Sequence, residues 1–179
     1  MKIIFGVFGR IGSGKDSVSN YLVKKHFFYK IHMGNILRAL ARKAKIKITR
    51  ENLQKLQEKY HKKYGHDFLL NIALEKAKGS KKQRIVVPGI RTPEQAARFK
   101  KEKNAKLIFV DAKPEIRFER TKKRNRKGSA KTIDEFKKQE KQEEKYFKFD
   151  KILRYSDYKL NNNGTEKDLY KQIDKLIKR

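Results

Sequence analysis

The chain is 179 residues long, with charged side chains at 39%, hydrophobic ones at 37% and a formal net charge of +29. That length suits one domain with a buried core and falls short of two ordinary ones, and apolar residues that recur in periodic segments speak against a disordered chain. With no cysteine there is no disulfide, thiolate metal site or thiol nucleophile, and no apolar run approaches the ~18 residues of a membrane span, so a cytoplasmic protein without membrane contact is expected.

Lys2 to Phe8 has strand character, and the stretch after it, Gly9 to Ser17, is where the chain commits to a chemistry. Gly9, four residues, then Gly14-Lys15 fits the phosphate-loop pattern G-x-x-x-x-G-K-[S/T], with Asp16 in the place of the final Ser or Thr. Glycines allow such a loop to turn its N–H groups inward around a phosphate, which needs positive φ and no Cβ in the way. Gly9, Gly12, Ser13, Gly14, Lys15, Asp16 and Ser17 are therefore expected to bind the polyphosphate of a nucleotide, with the Lys15 ammonium on its terminal phosphates. A helix over 13–25 presents its positive N-terminal dipole to that anion.

Phe27 to His32 reads as a second strand, and 35–45 as a helix with Ile36, Leu37, Leu40 and Ala44 on one face. Thr49 opens a basic helix carrying Leu53, Leu56 and Tyr60, which Gly65 ends. Asp67 then caps a helix running to Gly79-Ser80. Ile85-Val86-Val87, after Arg84, has the uniformly apolar character of a strand buried on both faces of a parallel sheet. Thr92-Pro93-Glu94-Gln95 predicts a helix start, with Thr92 as N-cap, Pro93 in the first turn and Gln95 completing a capping box. Lys106 to Asp111 is the fourth strand, and Pro114 opens the next helix. A basic, flexible stretch over 124–129 and one charged helix over 132–149 follow; with few apolar anchors, that helix is expected to lie over the body and move. Asp157 to Leu160 is the last strand, Asn161 to Gly164 a turn, and Thr165 caps the final helix. Alternating strands and helices predict an α/β sheet built by right-handed crossovers.

Several of these stretches together resemble the nucleoside monophosphate kinase superfamily. Met33-Gly34-Asn35-Ile36-Leu37-Arg38 is similar to the segment that begins the monophosphate-binding helices of adenylate kinases. Val87-Pro88-Gly89-Ile90-Arg91-Thr92-Pro93-Glu94-Gln95 resembles their Asp-Gly-Phe-Pro-Arg-Thr segment, including the Gln that reads an adenine edge. Ser156 to Gly164 is closer to dephospho-coenzyme A kinases, in which an Asn and a Gly lie beside the ATP adenine. The combination looks most like an archaeal family of uncharacterised proteins related to both enzymes.

The resemblance implies a three-layer α/β/α P-loop kinase fold in a single domain over 1–179, with a five-stranded parallel sheet, a helical acceptor-binding insertion over 33–80 and a helical lid over 121–149. It further implies an ATP-dependent kinase that works with Mg2+ and moves the γ-phosphate to a nucleoside monophosphate or nucleotide-like acceptor. In this scheme Arg38, Arg91 and Gln95 hold the acceptor, Asn162 and Gly164 lie beside the adenine, and Lys15, Arg91, Arg120 and Arg124 surround the transferred phosphoryl group. Arg117 and Arg126 are secondary lid members. Phosphoryl transfer is mainly positioning and charge cancellation, which suits arginines from several directions.

Two departures carry information. Magnesium in such enzymes is held by the loop Ser/Thr and by a carboxylate at a neighbouring strand end, where this chain has Asp16 and Pro88. Asp16 and Asp111 are the metal candidates; the opposite reading is a kinase with an impaired metal site. After the second strand, His32-Met33-Gly34-Asn35 offers no carboxylate base, which favours an acceptor phosphate over an acceptor hydroxyl, with His32 as a base or simply a structural residue. RNA stays open as a partner. The +29 charge fits an adenylate-kinase-like ATPase that contacts RNA or ribosomal particles through 117–131, but lysines spread along nearly every segment fit a general surface bias as well. Oligomeric state is not legible.

Overall fold

A computed structural model of the chain describes residues 2–125 and 129–178. Strand β1 (Ile3–Phe8) is central, and helix α1 (Lys15–His26) follows it through the glycine loop. Next come β2 (Tyr29–Lys30), α2 (Met33–Lys43), α3 (Arg50–Tyr64), α4 (Phe68–Gly79), β3 (Arg84–Pro88), α5 (Pro93–Lys100) and β4 (Ala105–Asp111). The chain closes with α6 (Pro114–Arg124), α7 (Ile133–Phe147), α8 (Phe149–Leu153), β5 (Tyr158–Asn161) and α9 (Glu166–Ile177). Among the described residues the strands form one parallel sheet in the order β2-β3-β1-β4-β5.

The alternating side chains of β1 explain the three layers, because successive residues point to opposite faces of a strand. Ile4 and Phe8 join Ile85, Val87, Leu107 and Phe109 in a core covered by α2, α4, α5 and α8. Phe5 and Val7 join Val86, Ile108 and Val110 in a second core covered by α1 and α9. A sheet covered on both faces directs ligands to the carboxyl ends of its strands, and the loops after β1, β3 and β4 open there.

Thr49, Thr92 and Thr165 cap their helices as read, each accepting an N–H from three residues on, and Thr132, not read as a cap, does the same for α7. Three expectations are corrected. Asp67 occupies the cap position of α4 but makes no side-chain cap bond, because its backbone (φ −93°, ψ 2°) is not extended. Gln95 does not close a capping box on Thr92, since its Oε1 accepts the Arg91 N–H at 2.9 Å and its amide donates to the His66 carbonyl at 3.1 Å. The charged helix expected over 132–149 is α7, which ends two residues early, at Phe147; Lys148 (φ 50°) breaks it and a separate short helix, α8, follows. The break turns Phe149 and Ile152 into the sheet core, and Glu144 accepts the Asp150 N–H at 3.1 Å at the start of α8. Arg126, a secondary lid candidate, lies outside the described residues.

Candidate nucleotide-binding site

The loop between β1 and α1 is held in shape by backbone geometry. Gly12 and Gly14 have φ of 76° and 97°, the left-handed region that favours glycine. A Cβ on Gly12 would stand 2.5 Å from the Arg117 carbonyl oxygen, and one on Gly14 would collide with the Asn162 amide. Asn162 is buried and donates its amide to the Ser13 carbonyl at 2.7 Å. The turn after β5 is thereby locked to the phosphate loop.

Two cavities are lined by residues of this loop and the start of α1. The larger, about 800 Å³, is lined by Lys15 from the loop, Arg38 from α2, Arg91 from the turn after β3, and Glu143 and Phe147 from α7. The smaller, about 290 Å³, is lined by Gly14, Ser17, Arg120, Arg124 and Asn162. Lys15 makes no hydrogen bond or ion pair among the described residues. Burial, followed by the nearby Arg91 and Arg124, pushes its ammonium below the usual lysine range, and Asp16 and Glu143 offset this in part. A cation depressed by burial and by like charges gains most from an anionic ligand. The Ser13 hydroxyl and the Arg120 Nη1 are likewise buried without a partner, which fits a site built for a polar ligand.

Sequence-predicted residues divide between the two cavities. Gly9, Lys15, Arg38 and Arg91 line the larger one. Arg38 donates to the Asn35 side chain at 2.8 Å, and the Arg91 guanidinium lies 5.9 Å from the centre of the Phe147 ring. Arg120 and Arg124 line the smaller cavity, and Arg124 also acts on Lys15 of the larger one. Arg120 also donates to the Asn162 carbonyl at 3.0 Å, which braces the turn after β5. Gly164 is exposed and lines neither cavity.

Other candidates have structural employment. Gln95 is buried, and both ends of its amide hold neighbouring backbone. Asp111 opens on a separate cleft and pairs with Lys159 at 3.0 Å. Asp16 lies in the first turn of α1 beside Lys15. Among the described residues no three His, Asp or Glu side chains gather as a metal cluster. His32 caps α2, its Nδ1 accepting the Gly34 N–H at 3.0 Å, and burial, with Lys30 next, holds its pKa below the ordinary histidine value.

Arg117 packs under α7. It is buried, donates from Nε to the Ala112 carbonyl at 2.7 Å, pairs with Glu140 of α7 and lies under the Phe136 ring at 5.5 Å. Turned inward, it is removed from the basic stretch that could meet RNA. Arg10 in the loop completes the clasp, bonding to Glu144 at 2.9 Å and Asp150 at 3.3 Å.

Glu143 was missed by sequence reasoning. Its signal was present: Phe136, Glu140, Glu143 and Phe147 follow at intervals of four, three and four, which places them on one helical face. That face is the one α7 turns toward the loop.

Comparison with known proteins agrees with this architecture. A family model described as an AAA domain matches residues 6–148. A UPF0200 protein of Thermococcus kodakarensis is 28% identical over 176 residues, covering 96% of this chain and 94% of its own length. Another, from Staphylothermus marinus, is 29% identical and covers 97% and 90%. Among solved structures, a shikimate kinase from Bacteroides thetaiotaomicron superposes with a TM-score of 0.67 at 13% identity over 99% of both chains. TT1252 from Thermus thermophilus reaches 0.65 at 18% identity, over 99% and 97%. The relatives are archaeal, as the sequence resemblance implies, and the solved structures share the three-layer P-loop kinase fold.

Proposed function

Because the chain belongs to the AAA-domain family and has a P-loop kinase-like fold, we propose that it is an ATP-dependent kinase of a nucleotide-like, anionic acceptor. One observation carries this reading: Lys15 of the phosphate loop shares a cavity with Arg38 and Arg91. A donor polyphosphate wrapped by the loop N–H groups and Lys15 would direct its terminal phosphate into that cavity, where the two arginines face it from other elements. The donor's nucleoside end would take the smaller cavity, beside Arg120 and Asn162.

Each residue has a defined task in this scheme. Lys15 neutralises the terminal phosphates, and an anion bound there returns its ammonium toward the ordinary lysine range. Arg38 and Arg91 position the acceptor, while α7, clasped through Arg10 and Arg117, keeps water from the reacting atoms. Magnesium is commonly held by one or two carboxylates together with substrate phosphates and water, a donor set that Asp16 and the Ser17 hydroxyl can complete. When bound it would neutralise charge on the phosphates.

The test is ADP production with a set of nucleoside monophosphates and dephospho-coenzyme A, repeated with RNA at low and moderate salt. Acceptor-dependent turnover without RNA is the expected result. Hydrolysis that responds to RNA alone would overturn the kinase reading in favour of an RNA-associated ATPase.

A further inference from the structure

The larger cavity contains a carboxylate that a phosphate-accepting kinase has no use for. Glu143 is half-buried on the inner face of α7 and lines the cavity together with Lys15, Arg38 and Arg91. Among the described residues its carboxylate makes no hydrogen bond or ion pair, although Arg10 and Arg117 engage the neighbouring Glu140 and Glu144. The charged groups that act on it come from several elements: Arg91 after β3, Lys15 at the start of α1, Arg117 on α6 and Glu140 on its own helix. Burial, the largest of these influences, pushes its pKa up, against the pull of Arg91 and Lys15.

Lys15 belongs to the donor half of the site and Arg91 to the acceptor half. A charged group under the influence of both stands near the junction across which the phosphoryl group passes. A doubly charged acceptor phosphate at that junction would meet the Glu143 carboxylate as a like charge in a partly desolvated setting, where repulsion is strong. An acceptor hydroxyl would meet it as a hydrogen-bond donor meets an acceptor. No carboxylate follows the second strand, which by itself favours a phosphate acceptor, but the lid supplies one from more than 100 residues further along the chain.

We infer that the atom phosphorylated is a hydroxyl oxygen of an organic anion, that Arg38 and Arg91 grip the anionic group of that acceptor, and that Glu143 is the general base. This rests on the kinase reading above. The acceptor oxygen forms a bond to the γ-phosphorus of ATP as the bond from that phosphorus to the β–γ bridging oxygen breaks. ADP leaves with the bond's electron pair, and the hydroxyl proton passes to the Glu143 carboxylate and then to solvent. The cavity's Ile90, Leu53 and Phe147 offer apolar contact to the organic body of such an acceptor.

The experiment follows ATP turnover by 31P NMR with nucleoside monophosphates and with dephospho-coenzyme A, each of which carries both a phosphate and a ribose hydroxyl. The wild type is compared with Glu143→Gln, and ATP affinity is measured separately for both. The expected product is a new phosphomonoester. Glu143→Gln should lower kcat by roughly 10²–10⁴-fold, the span of general-base catalysis, with ATP binding retained or tightened. The wild-type rate should fall as pH drops through the Glu143 pKa and protonates the base, and the variant should lose that acid limb. A phosphoanhydride product, or a monoester formed by Glu143→Gln at the wild-type rate, would overturn the inference and leave the kinase reading standing. ATP consumed with no phosphorylated acceptor would overturn the kinase reading and this inference with it.

Discussion

The phosphate loop and the lid helix α7 face each other across one cavity and are built by opposite means. The loop is set by covalent geometry and buried hydrogen bonds: two glycines in the left-handed region, a carbonyl bonded by Asn162, and the central strand beneath it. The lid has 15 residues, with Phe136 as its buried side chain, and otherwise clasps the body through carboxylates on Arg10 and Arg117. The Arg10 pairs are partly exposed and contribute about 0–1 kcal/mol each, so this outer part of the clasp can open at little cost while the buried Arg117–Glu140 pair anchors the helix, whereas the loop cannot rearrange without strain. The part that must be preorganised is rigid, and the part that must admit substrate is lightly held.

The sharpest way to separate the two regions is Lys15→Ala. Removing the loop cation should lower kcat by about 10³-fold, as for other preorganised charge-stabilising groups, with the melting temperature unchanged or raised because a half-buried ammonium crowded by Arg91 and Arg124 is lost. Phe136→Ala addresses the lid: emptying its aromatic contact with Phe118 should cost about 3 kcal/mol locally. Hydrogen exchange should show α7 opening while the sheet stays protected. Equal deprotection of both regions would refute the contrast.

Gly12→Ala tests the loop's rigidity, since a Cβ there meets backbone at 2.5 Å in a positive-φ conformation. A loss of about 1–3 kcal/mol in thermal unfolding is expected, together with weaker ATP binding. Asp16→Ala should raise the magnesium concentration for half-maximal turnover about tenfold; unchanged magnesium dependence would remove Asp16 from the site. The smallest effect belongs to Glu144→Ala, which removes the shortest of Arg10's ion pairs and leaves Asp150 and Glu140 in place. A loss of about 0.2–1 kcal/mol in lid closure, shrinking further at high salt, is expected and is measurable as faster proteolysis within α7.

The same contrast governs what could be read in advance. The loop was legible because its chemistry is local: Gly9, Gly14 and Lys15 stand at a spacing that means the same in any strand-loop-helix setting. Three threonine caps, Thr49, Thr92 and Thr165, were legible for the same reason, each bonding an amide three residues on. The break at Lys148 and the short helix α8 after it were not legible because their reason is distant: Phe149 packs on Phe8, 6.2 Å away ring to ring and far off in the sequence. Gln95 looked like a base-reading side chain, and its engagement with the His66 carbonyl is visible only once α4 and α5 are side by side.

What the amino-acid order determined by itself was a parallel α/β sheet with a polyphosphate loop on its central strand, because strand periodicity, glycine conformation and helix caps act over a few residues. Tertiary structure alone decided which charged side chains line the two cavities beside the loop. Arg117 is drawn inward to Glu140, Arg120 is turned to the smaller cavity, Asp111 is spent on Lys159, and Glu143 is brought opposite Lys15. In a chain with 39% charged residues, almost any of these carboxylates and cations could have been solvated surface. Long-range packing selects among them, since a buried charge is tolerated only where the fold brings a partner or a ligand to meet it.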